Sequence, residues 1–222
     1  MNTLGNHLFQ HPTASPTLNK DTDEEITLKK HLALNHDTPV TTLRELAKDA
    51  SVVVREAVAC NPNIPPDVFT LLSHDPEFSV LRDLALHPKA PSEILERIST
   101  NLLSSLHFYV AQNHNTSIET LDKMSNSISS SVRKSVALNS NCSKDTLIRL
   151  VQDSKYEVRR SVVANKKVTL PILLAVLDYE RFNRTSIPHN AIYDLFIHKL
   201  VTPVIREVMR TLWPEYVFPL IL

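Results

Sequence analysis

The hydrophobic positions of this chain repeat every 26 residues. Alanines recur at that spacing from Ala33 to Ala137, and the next step falls on Val163. Upstream of each alanine lies a pair of aliphatic residues four positions apart, such as Val54 and Val58. A spacing of four places both side chains on one face of an α-helix. The pattern therefore predicts one helix in every unit, which we call helix B.

A second apolar pair, with its members three residues apart, lies between successive B helices. It recurs as Leu43/Leu46, Phe69/Leu72, Leu95/Ile98, Leu121/Met124, Leu147/Leu150 and Leu173/Val176. This spacing also indicates a helical face, so each unit is expected to contain a helix A before its helix B. Prolines 39, 65 and 91 are expected to open the first three A helices, and Thr116 with Glu119 to form a capping box on the fourth.

A single unit of this kind cannot fold by itself. It buries about four large side chains, worth roughly 1.5 to 3 kcal/mol each, whereas ordering its backbone costs several times more. Stacked units share a continuous core, so we expect a one-dimensional α-solenoid with atypical ends. We assign residues 25–184 to the repeats, residues 1–24 to a flexible N-terminal tail, and residues 185–222 to capping helices with an apolar tail.

Three strings of the chain resemble a known type of repeat. VREAVACNPNIPPDVFTLL, VRKSVALNSNCSKDTLIRL and VRRSVVANKKVTLPILL are similar to the VRxxVAxNPxxP units of leucine-rich repeat variant proteins and, more broadly, to HEAT-like repeats. The resemblance implies an all-α, right-handed solenoid of about six two-helix repeats, with helix B on the concave side. It also implies a binding surface for macromolecules, since such solenoids mostly serve that role.

The composition excludes several functional classes. Gly5 is the only glycine among 222 residues, so no glycine-rich phosphate loop can form. Cys60 and Cys142 belong to no metal or disulfide motif, and the ten histidines include no HExxH. We therefore expect no catalytic residues, no metal and no cofactor, including the iron–sulfur cluster that some leucine-rich repeat variant proteins carry. The absence of a long apolar run and of a signal peptide favours a cytoplasmic protein that does not contact membrane.

Two columns of polar residues are interpreted as structural. Three arginines directly follow buried valines, and aspartates stand six residues before two of them: Arg55, Arg133, Arg159, Asp49 and Asp153. We interpret this set as an Asp–Arg ladder between repeats, with partner binding as the alternative. A column of asparagines, with His87 in one unit, is expected to end helix B in a left-handed conformation and to bond across adjacent loops.

A third column predicts a binding surface. Lys30, Glu56, Arg82, Phe108, Lys134 and Arg160 lie about 200° around helix B from the buried valines, so core packing does not explain them. With the arginine column they place eight Lys or Arg in twelve positions, which indicates a basic stripe although the net charge of the chain is zero. A neighbouring apolar column contains Leu86 and Leu138. We predict that the partner-binding residues are Lys30, Arg82, Phe108, Lys134, Arg160, Leu86 and Leu138.

Cations beside exposed apolar residues favour a non-enzymatic module that captures a protein partner with acidic and apolar groups. The alternative is a nucleic-acid-binding solenoid related to the HEAT-like alkyl-purine DNA glycosylases, in which spaced cations track phosphates. The last ten residues, WPEYVFPLIL, have two interpretations. They either cover the final repeat or act as an apolar anchor on another subunit.

Overall fold

The computed structural model describes residues 21–183 and four isolated positions, 198, 202, 203 and 206. Within this part the chain forms twelve α-helices and no strand. Their bounds are α1 Asp23–Leu34, α2 Val40–Leu46, α3 Val52–Ala59, α4 Pro66–Leu72, α5 Phe78–Leu86, α6 Ser92–Ser99, α7 Ser104–Gln112, α8 Ile118–Met124, α9 Ser130–Leu138, α10 Lys144–Leu150, α11 Tyr156–Ala164 and α12 Leu170–Asn183. Residues 1–20, most of the predicted tail, and the predicted cap at 185–222 lie outside the described part, apart from those four positions.

The odd-numbered helices are the predicted B helices and the even-numbered ones the A helices. Each odd helix packs on the next odd helix and on the even helices beside it. The alanine column, Ala33, Ala59, Ala85, Ala111 and Ala137, is completely buried. The predicted all-α solenoid is therefore confirmed. Successive even helices approach one another at few points, so the closer spacing of the odd helices makes their layer the inner side of the array.

The starts of the even helices follow the prediction in three units and depart from it in the fourth. Pro39, Pro65 and Pro91 are the N-cap residues of α2, α4 and α6. At α8 the N-cap is Ser117, whose hydroxyl accepts the Thr120 N–H at 3.1 Å. The capping box predicted from Thr116 is wrong. The Thr116 hydroxyl is buried and donates to the Val110 carbonyl at 2.6 Å, closing the preceding odd helix.

A buried asparagine joins each of four repeats to the preceding one. The Asn139 Nδ2 donates to the carbonyls of Ala111 and Asn113, both at 2.8 Å, and its Oδ1 accepts the Asn141 N–H. The same three bonds recur at Asn61, Asn113 and Asn165. A primary amide supplies two donors and one acceptor, so the group is satisfied in full. The expected bonding across adjacent loops is confirmed.

The prediction that these asparagines adopt a left-handed backbone conformation is wrong. Asn35, Asn113, Asn139 and Asn165 end their helices with φ between −70° and −67°, in the extended region. A left-handed residue is unnecessary because the carbonyls at the helix end already accept hydrogen bonds from the asparagine amide of the following repeat. The asparagine side chain therefore satisfies the helix-end carbonyls, as a left-handed turn does at many other helix ends.

A second column of amide and ammonium groups lies two residues further on. The Asn63, Asn115 and Asn141 side chains donate to loop carbonyls of the preceding repeat, at His36, Pro88 and His114. Lys89 and Lys167 place an ammonium group in the same column, on the carbonyls of Pro62 and Cys142. This column was not predicted, although the Asn-x-Asn spacing at 61, 113 and 139 is its signal in the sequence.

We expect Asn139→Asp to destabilise the protein strongly. The carboxylate loses both donated hydrogen bonds and faces two carbonyl oxygens in a buried site, which should cost at least about 2 kcal/mol of unfolding free energy. Asn35→Asp is the matched control, because Asn35 is exposed and uses only its Oδ1. It should change stability by less than about 0.5 kcal/mol. Urea denaturation of the full chain measures both, and equal losses would contradict the bonding scheme.

His87 replaces asparagine in one repeat and should make stability depend on pH. Its Nδ1 accepts the Lys89 N–H and its Nε2 lies 3.0 Å from the Asn61 carbonyl, so the ring is neutral with the proton on Nε2. Burial, together with the charge of Lys89, lowers the pKa of His87 against the opposing effect of the Asn61 carbonyl. The unfolded chain therefore takes up the proton first on acidification, and this contribution to stability declines below about pH 6.5.

We expect His87→Asn to reduce the loss of stability between pH 7.5 and pH 5.5, because it removes a group that must charge on unfolding. Urea denaturation across that pH range measures the effect. His114→Asn, at an exposed position, is the control and should keep the wild-type pH dependence. An unchanged slope in the His87→Asn variant would show that the buried ring does not couple folding to protonation.

Candidate partner-binding surface

The arginine column connects neighbouring repeats. Arg55 forms two parallel hydrogen bonds with Asp75 of the next repeat, at 2.6 and 3.1 Å. Arg133 binds Asp153 in the same way, at 2.6 and 2.9 Å. The Lys29 ammonium group lies 2.9 Å from the Asp49 carboxylate. Each cation thus pairs with the aspartate 20 residues later, and both partners are largely shielded from solvent.

The aspartates six residues before the arginines contribute through their backbone. Arg55 Nη1 donates to the Asp49 carbonyl at 2.9 Å, and Arg159 Nη1 donates to the Asp153 carbonyl at 2.7 Å. Arg159 is buried, and its guanidinium lies 5.3 Å from the centroid of the Tyr179 ring. The cations of this column are therefore engaged in contacts between repeats.

The ion pairs are replaced by other contacts in the middle of the array. Leu81 and His107 occupy the arginine position of α5 and α7. Leu81 is buried, and His107 Nε2 lies 2.9 Å from the Asn101 carbonyl of its own repeat. The α5–α7 joint contains an edge-to-face contact between Phe78 and Tyr109, with centroids 6.4 Å apart. Aromatic packing therefore connects the two repeats where the ladder is interrupted.

The outer face of the odd helices has mixed charge. Lys30, Lys134 and Arg160 are exposed. Arg82 is half-buried, and its Nε donates to the Asp83 carboxylate at 2.7 Å, with Glu56 in the adjacent unit. The arginine column is also paired with aspartates. The basic stripe expected from the sequence is therefore interrupted in the middle of this face, and its exposed cations lie towards the two ends. Asp83 was missed because it lies one position beyond the column that we followed.

A cation and a leucine four residues apart recur on alternate odd helices. The pairs are Lys30/Leu34 on α1, Arg82/Leu86 on α5 and Lys134/Leu138 on α9. The leucines are 40, 49 and 48% exposed. The helices between them carry Cys60, Gln112 and Ala164 at the leucine position. The exposed leucines thus repeat every second unit, a period twice that of the fold. We call these three pairs and Phe108 the outer odd face, because they lie on the side of the odd helices that is turned away from the buried core.

Phe108 is half-buried near the centre of this face. Its ring makes an edge-to-face contact with Tyr109, with centroids 5.4 Å apart and planes at 79°. Tyr109 contacts Phe78 in turn, so three aromatic rings form one cluster on α5 and α7. Phe108 was predicted from the sequence, whereas Tyr109, which is adjacent to it, was not. Rigid aromatic groups of this kind supply contact area at low entropic cost.

The thiol of Cys60, which occupies the leucine position of α3, is not activated. Partial desolvation and the nearby Asp83 carboxylate raise the pKa of Cys60 to about 11, so the sulfur stays protonated at neutral pH. Within residues 21–183, no three His, Cys, Asp or Glu residues are grouped so that they could bind a metal ion. Nor is any helix in this range long and apolar enough to cross a bilayer.

The chain was compared with known proteins. No protein-family model and no curated protein matches the sequence. Among solved structures it is similar to one described as "a leucine-rich repeat variant with a novel repetitive protein structural motif". The two are 22% identical over 71% of this chain and 84% of that chain, with a TM-score of 0.32. This match names the same kind of repeat as the sequence motifs, while the solenoid assignment rests on the helix contacts described above.

We expect Cys60 to react slowly with iodoacetamide at pH 8, at least about tenfold more slowly than a free cysteine, because little thiolate is present. Asp83→Asn should accelerate the reaction, since removing the carboxylate lowers the pKa of the thiol. Asp67→Asn removes a carboxylate elsewhere and is the control. Peptide mapping by mass spectrometry assigns the label to Cys60. A wild-type rate equal to that of free cysteine would refute the raised pKa.

Proposed function

We propose that this chain is a non-enzymatic binding module that holds a protein partner on its outer odd face. The observation that carries the proposal is the recurrence of an exposed leucine beside a cation on α1, α5 and α9, with the Phe108 cluster between the second and third pairs. The buried columns of the same helices already fill the interior, and the leucines and cations of the three pairs lie outside that core, whereas Phe108 is partly buried against it.

The spacing of the leucines suits an extended or helical peptide. Packed helices lie about 8–10 Å apart, so leucines on alternate odd helices are roughly 16–20 Å from one another. An extended chain spans that distance in about five or six residues. A partner with an apolar side chain at this interval and acidic residues beside the outer two would place each apolar group against a leucine and carboxylates near Lys30 and Lys134.

The nucleic-acid alternative receives less support from the geometry. Phosphate tracking requires a row of available cations, and the affinity then falls steeply with salt. Arg55 and Arg133 are paired with aspartates, and Arg82 is paired with Asp83. The other two cations of the outer odd face, Lys30 and Lys134, are separated by apolar and acidic positions. A protein surface with mixed apolar and acidic groups matches this face better than a uniformly charged phosphate backbone does.

We expect the triple variant Leu86→Ser, Lys134→Glu, Leu138→Ser to lose its partner. Affinity purification from the native host, comparing wild-type and variant chains as bait, should show at least a tenfold drop in the recovered partner, because central apolar and charged contacts dominate binding. Thermal stability should be nearly unchanged, since all three side chains are outside the core.

Ile148→Ser provides the matched control. Ile148 is 51% exposed but lies on α10, in the even layer. This variant should recover the same partner as the wild type. Retention of the partner by the triple variant, or its loss from the Ile148→Ser variant, would contradict the assignment of the binding surface to the outer odd face. A partner recovered only as nuclease-sensitive material would support the nucleic-acid alternative instead.

A further inference from the structure

The first helix exposes two residues that are core residues in every other odd helix. The equivalent aliphatic pairs in α3, α5, α7, α9 and α11 are completely buried: Val54/Val58, Val80/Leu84, Leu106/Val110, Val132/Val136 and Val158/Val162. In α1 the same two positions are Leu28 and Leu32, which are 70 and 41% exposed. Among the residues that the structure describes, α1 therefore presents an uncovered apolar face whose equivalents on the other odd helices are all covered.

The covering element elsewhere in the array is an even helix. Each later odd helix packs between the even helix before it and the even helix after it, whereas α1 packs on α2 and α3. The covering helices contribute an apolar pair, such as Leu43 and Leu46. At the 26-residue spacing the corresponding positions before α1 are Thr17 and Lys20, which are polar. The sequence preceding α1 thus lacks the apolar pair that the repeat uses for this purpose.

The acidic residues and the histidine of α1 are arranged to suit a second α1 running in the opposite direction. Asp23, Glu24 and Glu25 form its first turn, and His31 lies in its last turn. Asp23, Glu24, Thr27, Leu28 and His31 together line a shallow cleft on the exposed side. In an antiparallel pair related by a two-fold axis, the acidic turn of each copy faces the His31 end of the other. Leu28, near the middle of the helix, then meets its own counterpart at the axis.

We propose that α1 is a dimerisation helix through which two copies of this chain associate head to head. Self-complementary surfaces of this kind are typical of two-fold interfaces, in which the same patch serves both subunits. At 12 residues α1 is longer than any other odd helix, about 18 Å, which provides length for the pairing. The dimer buries Leu28 and Leu32 and brings two outer odd faces into one assembly. It does not depend on the proposed function.

Sedimentation equilibrium of the full chain between about 1 and 100 µM tests the proposal. We expect a reversible equilibrium between the 25.1 kDa monomer and a species of twice that mass. Leu28→Glu should weaken association at least tenfold, because it places two carboxylates at the two-fold axis, and should leave the circular dichroism spectrum unchanged. Ile148→Glu, which alters an exposed aliphatic residue of the even layer, is the control and should dimerise like the wild type.

Charge variants test the antiparallel arrangement. His31→Lys should tighten the dimer and His31→Glu should weaken it, each several-fold at low salt, because position 31 faces the acidic turn of the other copy. Glu24→Lys alone should weaken association, and combining it with His31→Glu should restore part of the loss. A monomer at all concentrations, or a dimer insensitive to Leu28→Glu, would overturn the proposal. Opposite signs for the two His31 variants would exclude the antiparallel pairing.

Discussion

The structure depends on the hydrogen bonds of a recurring buried side chain, the asparagine that follows α3, α7, α9 and α11. Its amide binds two carbonyls of the preceding repeat and one N–H of its own loop, as at Asn139. Because these atoms are fixed on both sides, an insertion or deletion between consecutive asparagines would separate the donors from their acceptors. The strict 26-residue period and the small alanine beside each asparagine follow from this constraint, which holds the odd helices close together.

The contacts that join the repeats do not involve the exposed leucines of the outer odd face, so the residues at those positions are free to vary. The Asn columns, the Arg–Asp pairs and the aromatic contact between Phe78 and Tyr109 join the repeats without using the positions of Leu34, Leu86 and Leu138. These exposed leucines follow a two-repeat period that the fold does not require. This difference between the pattern of the surface and that of the scaffold is the observation on which the proposed function rests.

The sequence predicts the scaffold well because the scaffold is periodic. The alanine and valine columns identify both layers, and the spacing alone indicates stacked helices. Individual side-chain contacts are harder to predict, because they depend on the angle at which helices meet. Thr116 and Ser117 are both plausible caps, and only the backbone decides which hydroxyl reaches Thr120 N–H. The basic stripe was overestimated for a similar reason, because three aspartates neutralise its arginines. Asp75 and Asp153 lie 20 residues after the arginines that they bind, and Asp83 lies one position outside the column of Arg82.

Hydrogen exchange of the loop amides tests the central role of the asparagine bonds most directly. The backbone N–H groups of Asn63, Asn115, Asn141 and Lys167 are bound to buried asparagine Oδ1 atoms, although they lie in loops. In native-state exchange measured by NMR, these four amides should be protected nearly as strongly as the centres of the odd helices. Exchange at the rate of exposed loop amides would contradict the account, because it would mean that the repeats are not held together by this column.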